Sequence, residues 1–144
     1  MHRTRFLAVA AAVAASTAIL VPAPALAGGR PLSTDLIGAN EPGGGDPDGS
    51  GHFSMTVNLG QSEICYDLTV ANLDTVVAAH IHSAPTGING PIVVPLAAPV
   101  SGSSSDCVTV DASLAKAIAK APQVFYVNVH TVLFPGGAVR GQLG

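Results

Sequence analysis

The sequence predicts an all-β fold: a β-sandwich or Greek-key barrel of about seven or eight short strands with one short helix. Three observations predict it. Apolar and polar residues alternate in short runs, as in strands with one buried face. These runs are rich in Val, Ile and Thr, which favour strands. Gly, Pro, Asn and Asp separate the runs and favour turns.

The first 27 residues have the composition of a cleavable signal peptide, so the folded domain is expected to span 28–144. A short basic segment precedes the apolar run 6–21, and Ala25-Leu26-Ala27 matches the small-x-small pattern that signal peptidase recognises. The apolar run is shorter than the roughly 20 residues of a spanning helix, and Pro22 and Pro24 interrupt it. We therefore expect a secreted protein, in a periplasm, a cell wall or the medium, with no transmembrane segment after cleavage.

The charge of the predicted domain disfavours a nucleic-acid partner. The chain has six basic and nine acidic residues, a formal net charge of −3. Two of the basic residues lie in the leader, so the domain carries four basic residues against nine acidic ones, a net charge of −5. Binding a phosphate backbone needs clustered Lys and Arg. The four that remain are scattered: Arg30, Lys116, Lys120 and Arg140.

The first half of the domain reads as a strand, a loop and a hairpin. The strand is 31–38, and the Gly-, Pro- and Asp-rich loop follows at 40–51. Strands 52–59 and 64–70 alternate cleanly on either side of a Gly-Gln-Ser turn. Their predicted inward residues are Phe53, Met55, Val57 and Leu59, then Ile64, Tyr66, Leu68 and Val70.

The second half predicts the remaining strands and the helix. The strands are 75–82, 92–96, 106–110, 123–131 and 138–143, with the Ser/Gly run 101–105 as a loop. Pro95 has no N–H to donate, so its strand belongs at a sheet edge. Asp111 is a good N-cap, Leu114 and Ile118 share one helical stripe, and Pro122 ends the helix.

Two cysteines, Cys65 and Cys107, lie in the predicted domain. An even pair in an oxidising compartment predicts a disulfide. A thiolate metal site is the alternative, but no Cys-x-x-Cys spacing supports it. Both cysteines fall on the polar side of their strands, so the bridge would lie outside the core.

Three histidines form the candidate metal site. Alternation places His80 and His82 side by side on one strand face, with their Cβ atoms about 6–7 Å apart. His130 shares a face with Asn128 and Tyr126, and would supply a third nitrogen if the two strands are neighbours. Three imidazoles without a carboxylate suit copper or zinc rather than calcium or magnesium. The alternative is that these histidines hydrogen-bond loops and bind no metal.

Catalytic chemistry has little support in the sequence. No serine lies in a G-x-S-x-G nucleophile elbow. Glu41, Asp46 and Asp48 crowd into one Gly-rich loop, which we interpret as a solvated turn rather than an acid/base pair. The segment 46–50 faintly resembles a calcium-binding loop but lacks the later bidentate Glu. His52, beside that loop, is expected to be solvated.

Four stretches resemble the CHRD domain, a module named after chordin and also found in secreted single-domain bacterial proteins. They are LIGANEPGG at 36–44, CYDLTVANL at 65–73, AHIHSAPTGINGPIVVPL at 79–96 and VFYVNVHTVLFPGGAVRGQL at 124–143. The resemblance runs from about residue 32 to the C-terminus. Ala138 departs from the pattern, where an acidic residue is common. The resemblance implies no established enzymatic reaction, and it implies that the AHIH and NVHT stretches belong to the module.

Three functional hypotheses follow. The leading one is a non-enzymatic extracellular binding module, and nested within it is the hypothesis of a copper or zinc site at His80, His82 and His130. The second is a dismutase-like or redox metalloenzyme. The three histidines resemble the copper ligands of the copper/zinc superoxide dismutase sandwich, but that enzyme's zinc loop and bridging histidine have no counterpart here, and fold analogy transfers no activity. The third is a structural or adhesion domain without metal.

Overall fold

The structure is a computed structural model that describes residues 28–144, so the predicted leader lies outside the described residues. Eight strands and one α-helix make up the domain. The strands are β1 (Arg30–Ile37), β2 (Ser50–Asn58), β3 (Glu63–Ala71), β4 (Val76–Ser83), β5 (Ile92–Leu96), β6 (Ser103–Thr109), β7 (Phe125–Thr131) and β8 (Val139–Gln142), and α1 is Ala112–Lys120. Within the described part of the chain, no helix is long and apolar enough to cross a membrane.

All eight strands belong to one antiparallel sheet in the order β5-β4-β7-β8-β1-β2-β3-β6. The sheet curls into a nearly closed barrel, with edge strands β5 and β6 facing each other across a shallow seam. The Ala97 N–H after β5 donates to the Tyr66 hydroxyl, and the Ser104 hydroxyl donates to the Ala97 carbonyl, both at 2.7 Å. These bonds bridge the seam. The all-β prediction is confirmed, and Pro95 does lie on an edge strand.

The core fills the barrel with one face of seven strands, as period-2 alternation predicts, and edge strand β6 adds only the partly buried Val108. The predicted hairpin β2–β3 forms, and its register places Met55 opposite Tyr66. Helix α1 packs Ala115 and Ile118 against the core. The strand residues buried with them are Leu32, Leu36, Phe53, Met55, Val57, Ile64, Tyr66, Leu68, Ala79, Ile81, Val94, Leu96, Phe125, Val127, Val129 and Val139.

Two local predictions are wrong. Strand β6 begins at Ser103, inside the segment predicted as a loop, because Ser103 pairs with Thr69 and the neighbouring strand supplies backbone partners that Ser and Gly propensities do not reveal. Leu59 is 49 % exposed rather than inward, because it has left β2 and lies in the turn before β3.

The predicted disulfide is confirmed. Cys65 on β3 lies directly opposite Cys107 on β6, and the two are bonded. Both are outside the core, on the half of the barrel away from β4 and β7. The bridge therefore fastens the last strand of the sheet to its neighbour without occupying core volume.

Candidate metal centre

The three predicted histidines meet on the outer face of the pair β4–β7. His80 lies opposite Asn128, His82 lies opposite Tyr126, and His130 lies opposite Ala78 in the antiparallel register. One ring nitrogen from each histidine lies within 4.8 Å of the others. The strand pairing that the sequence left open therefore does bring His130 beside the His-x-His pair.

Two loop carbonyls orient the histidine rings. Nδ1 of His82 donates to the Gly90 carbonyl at 2.9 Å, and Nδ1 of His130 donates to the Pro135 carbonyl at 2.9 Å. A carbonyl only accepts, so Nδ1 carries a proton in both rings, and in the neutral His82 ring Nε2, which has no partner, is left with its lone pair. Such a bond to the far nitrogen is the usual way in which a protein aims a metal-binding imidazole.

Two nitrogens of the cluster are buried and have no partner. Nε2 of His82 and Nδ1 of His80 are the buried side-chain polar atoms in residues 28–144 that make no hydrogen bond. A buried unsatisfied polar group costs about 1–3 kcal/mol, so native structures rarely keep one without a reason. Both atoms belong to the one three-histidine cluster, and a ligand that accepts a lone pair would satisfy both.

The electrostatics of the cluster favour the neutral forms of His80 and His82. Burial lowers the pKa of His80, and the neighbouring His130 and His82 lower it further. Burial is also the main cause that lowers the pKa of His82, although its bond to the Gly90 carbonyl acts in the opposite direction. Because metals bind the neutral ring, these shifts leave the nitrogens free at neutral pH.

The donor set fits copper or zinc. Around one ion the three nitrogens must lie roughly 3.4 Å apart, given metal–nitrogen bonds of about 2.0–2.1 Å. The separations of up to 4.8 Å therefore have to contract slightly. Nε2 of His130 now lies 3.1 Å from the Asn128 side-chain oxygen, and it would exchange that contact for the ion. No carboxylate belongs to this group of ligands, which disfavours calcium and magnesium.

A three-layer stack supports His82 from behind. Its ring lies parallel to the Tyr126 ring, with centroids 4.7 Å apart and planes 4° from parallel. The Arg140 guanidinium carbon lies 3.3 Å from the Tyr126 ring centroid. Arg140 is only 1 % exposed, so this contact is a desolvated cation–π pair.

The same stack fastens the loop at 84–91 over the site. Arg140 donates to the Ile88 carbonyl at 2.6 Å and to the Asn89 side-chain oxygen at 3.1 Å. The Gly90 N–H donates to the Tyr126 hydroxyl at 3.3 Å. Since His82 also bonds to Gly90, the loop and the His82 ring share one set of contacts.

The interpretation of the acidic loop as a solvated turn is wrong for two of its three carboxylates. Glu41 is 7 % exposed and Asp46 is 6 % exposed, whereas Asp48 is exposed. The loop folds back over β8, where the Asp46 N–H donates to the Ala138 carbonyl at 2.8 Å. Glu41 thereby reaches Asn128, whose amide lies 3.5 Å from Oε1. Burial raises the pKa of Glu41, and the positive charge of Arg140 opposes that rise.

Sequence reasoning missed the roles of Glu41 and Arg140. Two local signals pointed to them. Arg140 is flanked by Val and Gly in a strand that otherwise reads as buried, and Glu41 is a lone acidic residue just before a run of glycines. His52 behaves as expected, exposed and paired with Asp35 at 2.7 Å.

Comparison with known proteins identifies the family of this chain and no individual relative. No curated protein and no solved structure matches the chain. The family model described as the CHRD domain matches residues 32–143, nearly the whole of the described fold and all three histidines. The chain therefore belongs to the CHRD domain family.

Proposed function

We propose that this CHRD domain is an extracytoplasmic binding module that holds one copper or zinc ion through His80, His82 and His130. The observation that carries the proposal is the pair of buried, partnerless nitrogens on His80 and His82, which lie beside a third histidine. The ion would be held as a bound cargo or structural centre. The family assignment is consistent with a binding module and supplies no reaction.

The rival interpretation is that the histidines only brace loops. His82 and His130 do bond to loop carbonyls, but each uses Nδ1 alone for that purpose. A bracing role explains neither why His80 is present nor why its Nδ1 is buried without a partner. Loop carbonyls that aim rings at a common ion explain all three positions.

The disulfide supports an oxidising compartment, because such bridges persist outside the reducing cytosol. Together with the leader composition, it supports export with cleavage after Ala27. Mass spectrometry of the protein recovered from the envelope or medium tests this: the expected mass begins at Gly28. A mass that retains the first 27 residues would refute the cleavage.

Calorimetric titration of the metal-free protein with Cu²⁺ and Zn²⁺ tests the metal proposal. We expect one ion per chain, with copper bound more tightly than zinc, as the Irving–Williams order requires. His80→Ala and His130→Ala should each weaken binding by roughly 100-fold or more, because each removes one of three ligands.

His52→Ala is the matched control, because His52 is an exposed histidine on the other half of the barrel. Its affinity for copper should equal that of the wild type. Absence of saturable binding in the wild type would remove the proposal, as would equal weakening by the His52 variant. A parallel superoxide-turnover assay of the copper-loaded protein decides whether the bound ion is also redox-active towards that substrate.

A further inference from the structure

A second concave feature lies beside the histidine cluster, against its loops. A half-open cavity of about 300 Å³ is lined by the 41–44 loop, Asn89 and the 133–137 segment. Two of its lining residues contact the histidine cluster or its neighbours. The Pro135 carbonyl accepts from His130, and Glu41 accepts from Asn128. None of the three histidines lines it, so it is a separate space.

Glu41 is the charged group that lines this cavity, and it has no close counter-charge. Its side chain is 7 % exposed and receives one long hydrogen bond, at 3.5 Å, from Asn128. No lysine, arginine or histidine nitrogen among residues 28–144 lies within 4.0 Å of it, since the ion pair in that part of the chain is His52–Asp35. Arg140 is near but donates to Ile88 and Asn89. Burial raises the pKa of Glu41 even though the charge of Arg140, the hydrogen bond from Asn128 and the charge of His130 all act to lower it.

The walls leave room for a ligand next to that carboxylate. At Gly43 and Gly136 an added Cβ would meet no atom within 4 Å, so both border open space. At Gly137 an added Cβ would lie 2.2 Å from the Glu41 carboxylate, so glycine there allows the side chain to reach its position. Phe134 adds an aromatic side chain to the lining, a surface that attracts cations as well as apolar groups.

We infer that this cavity binds a small organic cation, an alkylammonium group whose N–H donors pair with the Glu41 carboxylate and whose alkyl part packs beside Phe134. The volume is at the small end of ligand pockets, which suits a short aliphatic chain. The net negative charge of the domain favours the approach of a cation. The cation could be a free amine or the side chain of a lysine on another protein, which share this chemistry.

Titrations followed by amide chemical shifts of the metal-free protein test the inference. The probes are n-butylammonium for a free amine, Nα-acetyl-lysine methylamide for a lysine side chain, and 1-butanol as the neutral isostere. We expect saturable shifts around Glu41 and Phe134 with at least one cation and none with butanol. Binding to both cations assigns the site to lysine side chains as well as amines, and binding to butylammonium alone assigns it to free amines.

Two variants probe the same site by different routes. Glu41→Gln should weaken cation binding by about tenfold or more, because it removes a charged acceptor and keeps the shape. Gly136→Leu should abolish binding by filling the cavity. Gly60→Leu is the control: it too borders open space, in the β2–β3 turn, and should leave binding unchanged.

Saturable binding of butanol as tight as that of butylammonium would overturn the inference, and so would failure of both cations to bind. If Glu41→Gln proves unstable by thermal unfolding, the Gly136→Leu result decides. Because every titration uses metal-free protein, the outcome does not depend on whether the histidines bind copper or zinc.

Discussion

The ring of His82 lies flat against the ring of Tyr126, with planes 4° from parallel, while Arg140 covers Tyr126 with its guanidinium. This stack joins β4, β7 and β8 on the outside of the barrel. It holds a predicted metal ligand in one orientation and fastens the loop at 84–91 above it. The histidine cluster thus depends on residues that would not themselves touch a metal.

The stack predicts different effects for two substitutions of Tyr126. Tyr126→Phe keeps the ring and removes only the acceptor of the Gly90 N–H, so unfolding free energy should fall by about 1 kcal/mol with little change in metal affinity. Tyr126→Leu removes the surface on which His82 rests, so copper affinity should fall by about tenfold. Urea denaturation and calorimetry measure the two quantities. Equal copper affinities of the two variants would show that the stack does not orient His82.

Gly137 is predicted to tolerate no side chain. Its φ of +139° is unfavourable for other residues, and an added Cβ would lie 2.2 Å from the Glu41 carboxylate. Gly137→Ala should therefore lower the free energy of unfolding by about 1–3 kcal/mol in chemical denaturation. Gly136→Ala is the neighbouring control, since its Cβ would meet open space, and its stability should be near that of the wild type. Similar losses in both variants would contradict this explanation.

Removal of the disulfide should lower the stability of the fold and leave its copper affinity unchanged. The bridge closes a loop with a sequence separation of 42, so the chain-entropy relation gives a loss of about 4 kcal/mol for the double variant Cys65→Ala/Cys107→Ala. Thermal and chemical unfolding measure the loss. Copper affinity of the folded variant should be unchanged, because the bridge joins β3 to β6 and the histidines lie on β4 and β7. A large fall in that affinity would mean that the two halves of the barrel are coupled.

The metal-free protein should lose stability in mild acid. The folded pKa values of His80 and His82 lie below the unfolded value of 6.5, so the unfolded chain binds more protons as pH falls below that value. Unfolding free energy should then decrease as pH drops from 6.5 through the lowered folded pKa values.

The histidine contribution can be isolated with the variant His80→Asn/His82→Asn. Glu41 acts in the opposite direction, because its raised folded pKa stabilises the fold as pH falls through that value towards 4.5. Urea denaturation at several pH values gives the free energy of unfolding of wild type and variant. The Glu41 contribution is the same in both proteins, so it cancels in the difference. An identical slope in both proteins between neutral pH and pH 5 would contradict the prediction.

Local pattern was sufficient for much of the fold. Alternation places Phe53 and Met55 inside and Cys65 outside, because successive side chains of a strand point to opposite faces whatever the topology. The same rule puts His80 and His82 on one face. It could not locate the start of β6, since Ser103 is in a strand only because Thr69 lies beside it.

The sequence by itself determined the strand faces, the two cysteines as a pair and the resemblance to the CHRD domain, all of which depend on neighbours in the chain or on short motifs. Only the tertiary structure decided that His130 joins His80 and His82, because that requires β4 to pair with β7 across more than forty intervening residues. It also decided that Glu41 and Arg140 are buried beside them. A charged side chain is polar by composition, and whether water reaches it depends on which distant loop folds over it.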